Sequence, residues 1–186
     1  MFDNDDAAIE ILDTGPVGLV YADPYIQVVR DPVRFPDGRT GGYVRVIHTT
    51  ASPPTVILPH KEGSILLLEI YRHALRSWAL EAPRGFGTDG LSGPQNAARE
   101  LAEELQATAR EITFLGSVYP DSGLMSQQVE VYLAELTEVG TVQHAEGIRR
   151  AVWLTTAEVS DRMREGTLTD GFTLSAIALA RAHNAV

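Results

Sequence analysis

Glu100, Glu103 and Glu104 stand at i, i+3 and i+4, directly after Arg99. Residues so spaced are neighbours on a helix surface. Like charges there repel by roughly 0.2–0.5 kcal/mol per pair. A divalent cation turns that penalty into attraction: hard ions such as Mg²⁺ take oxygen ligands and share one or two carboxylates with substrate phosphates. A solvated acidic helix face is the competing reading of a bare E-x-x-E-E. The upstream residues shift the balance. Gly85, Gly87, Gly90 and Gly93 crowd the preceding loop, letting backbone approach a ligand closely, and Arg99 adds a fixed cation in the same turn. Gly93-Pro94 opens the helix, since proline suits a first turn, with Ser92 or Gly93 as cap. Ala98, Leu101, Ala102 and Leu105 are expected to form the apolar face, with the three carboxylates crowded on the other side.

The stretch resembles the Nudix box, G-x5-E-x7-R-E-U-x-E-E-x-G-U, where U is a bulky aliphatic residue. Gly85 takes the first glycine, and Arg99-Glu100-Leu101 with Glu103-Glu104 takes R-E-U-x-E-E at the correct separation. Leu91 stands where the box has its first glutamate, Gln106 replaces the late glycine, and Ala107 is a small substitute for the last aliphatic. The flanks look like the ADP-ribose pyrophosphatase group, in which Q-Y-R precedes a loop reading E-L-P-A-G. Here Tyr71-Arg72 precedes Glu81-Ala82-Pro83-Arg84-Gly85, with Arg84 in place of a small residue. Around Leu115–Ser126 the likeness continues, but Gln127 stands where the group has a glutamate.

The resemblance implies Mg²⁺-dependent hydrolysis of a pyrophosphate, Mn²⁺ being a possible substitute. The substrate class is a nucleoside diphosphate linked to another moiety, ADP-ribose or a nucleoside diphosphate sugar foremost. It implies Glu100 and Glu104 as principal metal ligands, Glu103 as a third ligand or catalytic carboxylate, and Arg99 as their orienter. A backbone carbonyl at Gly85 or Arg84 is placed to complete the metal shell. Glu146, on a polar loop before the last strand, is the candidate general base, with Glu138 and His144 as competitors. Tyr71, Arg72, Arg84 and Gly85 are the candidate substrate contacts; Arg76, Trp78 and Trp153 read as strand-end polarity or core. A nucleotide-binding regulatory module is the rival from another class, motivated by Leu91, Gln106 and Gln127. Dinucleoside polyphosphates or coenzyme A are the rival substrates.

With 25 acidic against 15 basic residues and a formal charge of −10, the chain is a poor binder of nucleic acid or anionic membrane, since neutralising phosphates requires Lys and Arg. No cysteine is present, which excludes disulfides, thiolate metal sites and cysteine nucleophiles. His48, His60, His73 and His183 show no pairing at zinc-ligand spacing. No apolar run reaches the roughly 18 residues of a membrane span, and Met1–Asp6 lacks the basic and apolar segments of a signal peptide. A cytoplasmic location is the expectation.

The elements that must position these residues follow in order. Residues 1–16 read as polar and partly disordered. Val17–Tyr21, Ile26–Asp31 and Gly42–Thr49 read as strands, with a turn at Pro36-Asp37-Gly38. Residues 1–50 are thus expected to form a small antiparallel β element, a possible homodimer contact by resemblance, ahead of a Nudix domain at 51–186. In that domain a strand from Thr55, a nearly continuous apolar strand at Ile65–Arg72, and strands at Ile112–Tyr119, Gln128–Leu136 and Ala151–Leu154 alternate with helices. Thr155 or Thr156 caps one of these helices; another runs from Thr173 to His183. The expected fold class is α/β, a Nudix-type α/β/α sandwich on a mixed sheet.

Overall fold

The computed structural model describes residues 8–12 and 18–186, which group into two units. The first takes residues through Thr49 together with 121–127; the second takes 50–120 and 128–186.

In the first unit, β1 (Glu10–Ile11), β2 (Gly18–Ala22) and β4 (Thr40–His48) all pair antiparallel with β3 (Ile26–Arg34). β3 runs three residues past the expected Asp31. The Pro36–Gly38 turn forms as expected, with Gly38 at φ 83° and the Arg39 N–H donating to Asp37 Oδ1 at 3.0 Å. Asp31 is buried in the sheet and paired with Arg45 at 2.5 Å. Residues 1–7 and 13–17, including Val17 and most of the segment expected to be polar and disordered, lie outside the described residues.

The second unit is built on a seven-stranded mixed sheet. Its path runs β11 (Ile148–Thr155), β6 (Ser64–Arg72), β5 (Thr55–Lys61), β10 (Val129–Glu138) and β9 (Thr108–Val118). β5 and β10 are parallel and the other pairs antiparallel. Period-2 alternation divides the strand residues between two cores. Val56, Leu58, Ile65, Leu67, Val131 and Leu133 pack on one face beneath α2 (Thr156–Arg164) and α3 (Gly171–Ala182). Ile57, Leu66, Leu68, Tyr132 and Ala134 pack on the other beneath α1 (Gly93–Leu105). With both faces covered, the central strands read as the apolar runs seen in the sequence. The expected α/β sandwich on a mixed sheet, with an antiparallel N-terminal sheet, is the observed one. No helix among the described residues is long and apolar enough to cross a membrane.

One irregularity makes room for the site. β5 and β6 pair only beside their hairpin, at His60–Ile65 and Lys61–Ser64, and then diverge. Into the gap runs the segment from β7 (Ser77–Glu81), which pairs with β6, to the two-residue β8 (Arg84–Gly85), which pairs with Thr55 and Val56 of β5. The Ile57 N–H donates to Pro83 O at 2.9 Å and seals the insertion.

Candidate functional site

On α1 the burial pattern departs from the sequence expectation. Ala98 and Ala102 are exposed, whereas Asn96, Glu100 and Glu104 are buried beside Ala97, Leu101 and Leu105. The two rows, 96-100-104 and 97-101-105, are adjacent i, i+4 ridges, so two carboxylates border the apolar face instead of opposing it. Glu103 lies apart, half exposed, held by Arg99 Nη1 at 2.5 Å. The Arg99 fork also grips Glu100 through Nη2. Arg99 therefore orients one buried carboxylate and tethers one exposed one, a task its planar fork suits.

The inserted segment meets this row head on. A Cβ on Gly85 would lie 2.5 Å from Glu100 Oε2 and closer still to the carboxyl carbon and Oε1. Gly85 backbone and Glu100 carboxylate are thus in direct apposition, which only glycine permits. Arg84, one residue earlier, presents its backbone amide to Glu104. Burial first, and the neighbouring negative charges of Glu103 and Glu146, push Glu100 up to about 7 against the attraction of Arg99. Burial, then Glu100 and Glu146, push Glu104 up to about 8, with Arg72 and the Arg84 amide pulling the other way.

Glu146 reaches the site through its loop. A short 3-10 turn spans His144–Glu146, tied to the C-terminal end of α1 by the Gln143 N–H on Glu104 O at 3.0 Å. On its far side the Tyr71 N–H of β6 donates to Gly147 O at 3.0 Å. Of the competitors, His144 places Nδ1 2.9 Å from Ile148 O, and Glu138 sits at the exposed end of β10 opposite Thr108.

Two acidic residues that the sequence reading did not single out organise the other wall. Glu81, 2% exposed, receives Arg72 through Nε at 3.0 Å and Nη2 at 2.7 Å, and Arg84 Nη2 at 2.8 Å. Asp170 lies 3.4 Å from Arg84 Nη2 and caps α3 by accepting from the Thr173 N–H at 2.8 Å. For Asp170 the available signal was its place three residues before Thr173, a cap spacing; Glu81 left none, because its arginines come from two different strands. Tyr71, about two-fifths exposed, stacks edge-on to Trp78, whose ring carries the Arg149 guanidinium 3.7 Å from its centroid. Of the sequence-derived residues, Arg99, Glu100, Glu104 and Gly85 therefore converge, with the Arg84 backbone. Glu146 acts electrostatically on both buried carboxylates and Arg72 on Glu104, and Glu103 stands on the exposed flank.

These residues fit a hard divalent ion. Glu104 Oε2 is buried and has no hydrogen-bond partner among the described residues. The donors on offer are carboxylate oxygens beside approachable backbone. No group of three acidic or histidine side chains among the described residues is preassembled as a cage, and Mg²⁺ is ordinarily held by one or two carboxylates plus substrate phosphate instead.

Comparison with known proteins now decides the family. The NUDIX domain model matches residues 51–170. The chain belongs to the NUDIX domain family. Relatives of this NUDIX chain include the ADP-ribose pyrophosphatase of Bacillus subtilis (strain 168), 28% identical over 116 residues, which are 62% of each chain. The ADP-ribose pyrophosphatase of Mycobacterium tuberculosis (strain ATCC 25618 / H37Rv) is 28% identical over 158 residues, 82% of this chain and 75% of that one. The match to the first thus spans about three fifths of that relative's length. A crystal structure described as an ADP compounds hydrolase superposes with a TM-score of 0.79, covering 97% of this chain and 98% of that one at 21% identity. That likeness establishes the fold.

The late glycine of the Nudix box gains a physical reason from this NUDIX helix. Gln106, its replacement, closes α1 in the left-handed region at φ 48° and ψ 39°. A non-glycine residue there costs roughly 1–2 kcal/mol, against the roughly 0.5–1 kcal/mol of extra backbone freedom that glycine brings to the unfolded chain. Gln106→Gly is therefore expected to raise stability by about 0.5–1 kcal/mol by chemical denaturation, less whatever the exposed Thr141 hydroxyl bond to Gln106 Oε1 (3.2 Å) contributes. Turnover should stay at the wild-type rate.

Proposed function

We propose that this NUDIX protein hydrolyses the pyrophosphate bond of ADP-ribose or a closely related nucleoside diphosphate sugar, using Mg²⁺. The coarser activity, hydrolysis of a pyrophosphate in a nucleoside diphosphate derivative, follows from the family and from relatives described as ADP-ribose pyrophosphatases. The observation that supports the use of a divalent ion is the buried Glu100–Glu104 pair against the Gly85 backbone, with Glu104 Oε2 unpartnered among the described residues; the choice of ADP-ribose leans on the described relatives. Glu100 and Glu104 would hold the ion. When bound, it neutralises phosphate charge and lowers the pKa of an attached water.

The chain's own residues supply the rest. Arg99 keeps Glu100 aimed inward, and Glu103 steadies Arg99 from outside. Glu146 takes the proton of the attacking water. The new P–O bond forms as the bridging P–O bond breaks, giving a nucleoside monophosphate and a sugar phosphate. Tyr71, Arg72 and the Gly85 backbone are assigned to the substrate, with Arg72 held on Glu81 as the nearby cation. Positioning and charge stabilisation provide most of the rate enhancement. A homodimer through the N-terminal strands and a cytoplasmic location belong to the same reading. The strand Gly18–Ala22 is exposed along its length and carries Leu19, Val20 and Tyr21, and sedimentation would test the dimer.

A substrate panel with Mg²⁺ and Mn²⁺ tests the activity. The expected result is metal-dependent release of nucleoside monophosphate, fastest from ADP-ribose. Metal-dependent binding of ADP-ribose without cleavage would favour the regulatory module, and preference for a dinucleoside polyphosphate or coenzyme A would replace the substrate.

The raised carboxylates give a second prediction. Burial lifts Glu100 and Glu104 from the ordinary carboxyl value of 4.5 to about 7 and about 8 in the fold. Between those values the folded state binds more protons, so metal-free stability falls as pH rises from about 5 through about 8. Metal takes the place of those protons. Thermal unfolding with chelator should therefore show a falling midpoint across this window, and saturating Mg²⁺ should raise the midpoint more at pH 8 than at pH 6.

A further inference from the structure

Arg84 stands where the resembling group has a small residue, and its guanidinium is turned into the fold with Nη2 on two carboxylates. It reaches Glu81 at 2.8 Å and Asp170 at 3.4 Å, and lies 4.3 Å from the Phe172 ring centroid. Glu81 is almost wholly buried and Asp170 is 11% exposed at its side chain. Glu81 and Asp170 both pair with the Arg84 guanidinium, leaving it little charge to offer a phosphate. The same residue's backbone does something different. It pairs with Val56, and its neighbour Gly85 lies against the Glu100 carboxylate. Its amide faces Glu104. The side chain thus anchors, to α3 and β7, the stretch of backbone that two buried carboxylates abut.

We infer that Arg84 is a positioning residue and not a phosphate contact: strapped to Glu81, Asp170 and Phe172, it holds the Arg84–Gly85 backbone against Glu100 and Glu104 and so sets the geometry in which they receive a divalent ion. The inference rests on the metal-binding part of the proposed function and is independent of which substrate is cut. Its physical basis is that groups holding metal ligands in place commonly change metal affinity or activity by roughly 10–100-fold when removed. Arginine serves here because Nη2 reaches both carboxylates while the planar guanidinium lies over the Phe172 ring, a stacking that lysine does not reproduce.

The test uses Arg84→Ala, Arg84→Lys and Asp170→Asn, each checked for fold by circular dichroism. Asparagine caps a helix about as well as aspartate, so Asp170→Asn spares α3 and loosens only the strap. Mn²⁺ affinity, measured by calorimetry without nucleotide, is expected to weaken about 10-fold or more in Arg84→Ala, and by smaller factors in the other two. In the double variant Arg84→Ala/Asp170→Asn the losses should be less than additive, because the two residues act through one contact. With substrate and saturating metal, kcat should fall while KM stays within about twofold, the pattern of an interaction that is not uniform substrate binding. A raised KM with unchanged Mn²⁺ affinity would make Arg84 a substrate contact and overturn the inference. So would Mn²⁺ affinity unchanged in all three variants. If the wild type binds Mn²⁺ but cuts no nucleotide, the proposed activity fails, while weaker Mn²⁺ binding by the variants still upholds the strap.

Discussion

Glu104→Gln should reduce turnover by at least about 100-fold while the protein stays folded and gains alkaline stability. The loss is bounded from below by what weaker disturbances around metal sites already cost, roughly 10–100-fold. The amide keeps the size of the side chain and its packing beside Leu101 and Leu105. It removes the negative charge and one of the two oxygens, and Glu104 Oε2 is the buried atom with no partner among the described residues. The stability gain has a separate cause. Burial and the charges of Glu100 and Glu146 raise the Glu104 carboxyl to about 8, so ionising it above that pH works against the fold. Glutamine cannot ionise, and the metal-free variant should therefore melt at a higher temperature than wild type at pH 9 and at nearly the same temperature at pH 5. Mg²⁺ should raise its midpoint much less than that of wild type. Activity near wild type would remove Glu104 from the metal site. Lost activity with unchanged Mg²⁺ stabilisation would leave it in the site but not as a ligand.

How much of this could be read beforehand depends on what kind of signal each residue leaves. The R-E-L-x-E-E spacing, the Gly-Pro helix start and the apolar run of β6 are local patterns, and they located α1, its entry and the central sheet. A two-residue period sets Ile57 on one face and Val56 and Leu58 on the other, but in a continuous apolar run the sequence does not say which helix covers which face. Burial around α1 was not legible either. A helical wheel puts Ala98 and Ala102 beside Leu101 and Leu105 as readily as it puts Glu100 and Glu104 there, and only the inserted β7–β8 segment decides that the carboxylate row faces inward. Propensity and polarity argued for carboxylates in solvent, and the tertiary insertion prevailed. Glu81 was invisible for a related reason. A carboxylate in a strand is ordinarily a surface residue, and its burial depends on Arg72 and Arg84 converging from two different strands. The role of Gln106 could be suspected from the family glycine, yet its left-handed conformation is a property of the α1 terminus and the loop that follows.

Gly85→Ala carries the second large effect, through a single methyl group. The added Cβ would fall 2.5 Å from Glu100 Oε2 and closer still to the carboxyl carbon and Oε1, well inside the roughly 3.5–4.0 Å at which non-bonded heavy atoms attract. Backbone strain is not the cause, since Gly85 is absent from the positive-φ glycines. The obstruction lies at the end of a flexible side chain, so the fold can accommodate the methyl by turning Glu100 away by about 1 Å or more. That movement is the damage. A misplacement of about 1 Å can cost about 100-fold in rate, and here it falls on a carboxylate proposed to hold the ion. It also breaks the Arg99 grip on Glu100. Expected together are a fall in kcat/KM of about 100-fold or more, weaker Mn²⁺ binding by calorimetry, and a midpoint of thermal unfolding close to wild type. Gly171→Ala is the matched control, because a Cβ there meets nothing within 4 Å; it should keep wild-type kinetics. If Gly85→Ala kept both metal affinity and rate, the apposition of this glycine and Glu100 would have no part in the reaction, and the buried pair on α1 would lose its claim to be the metal site.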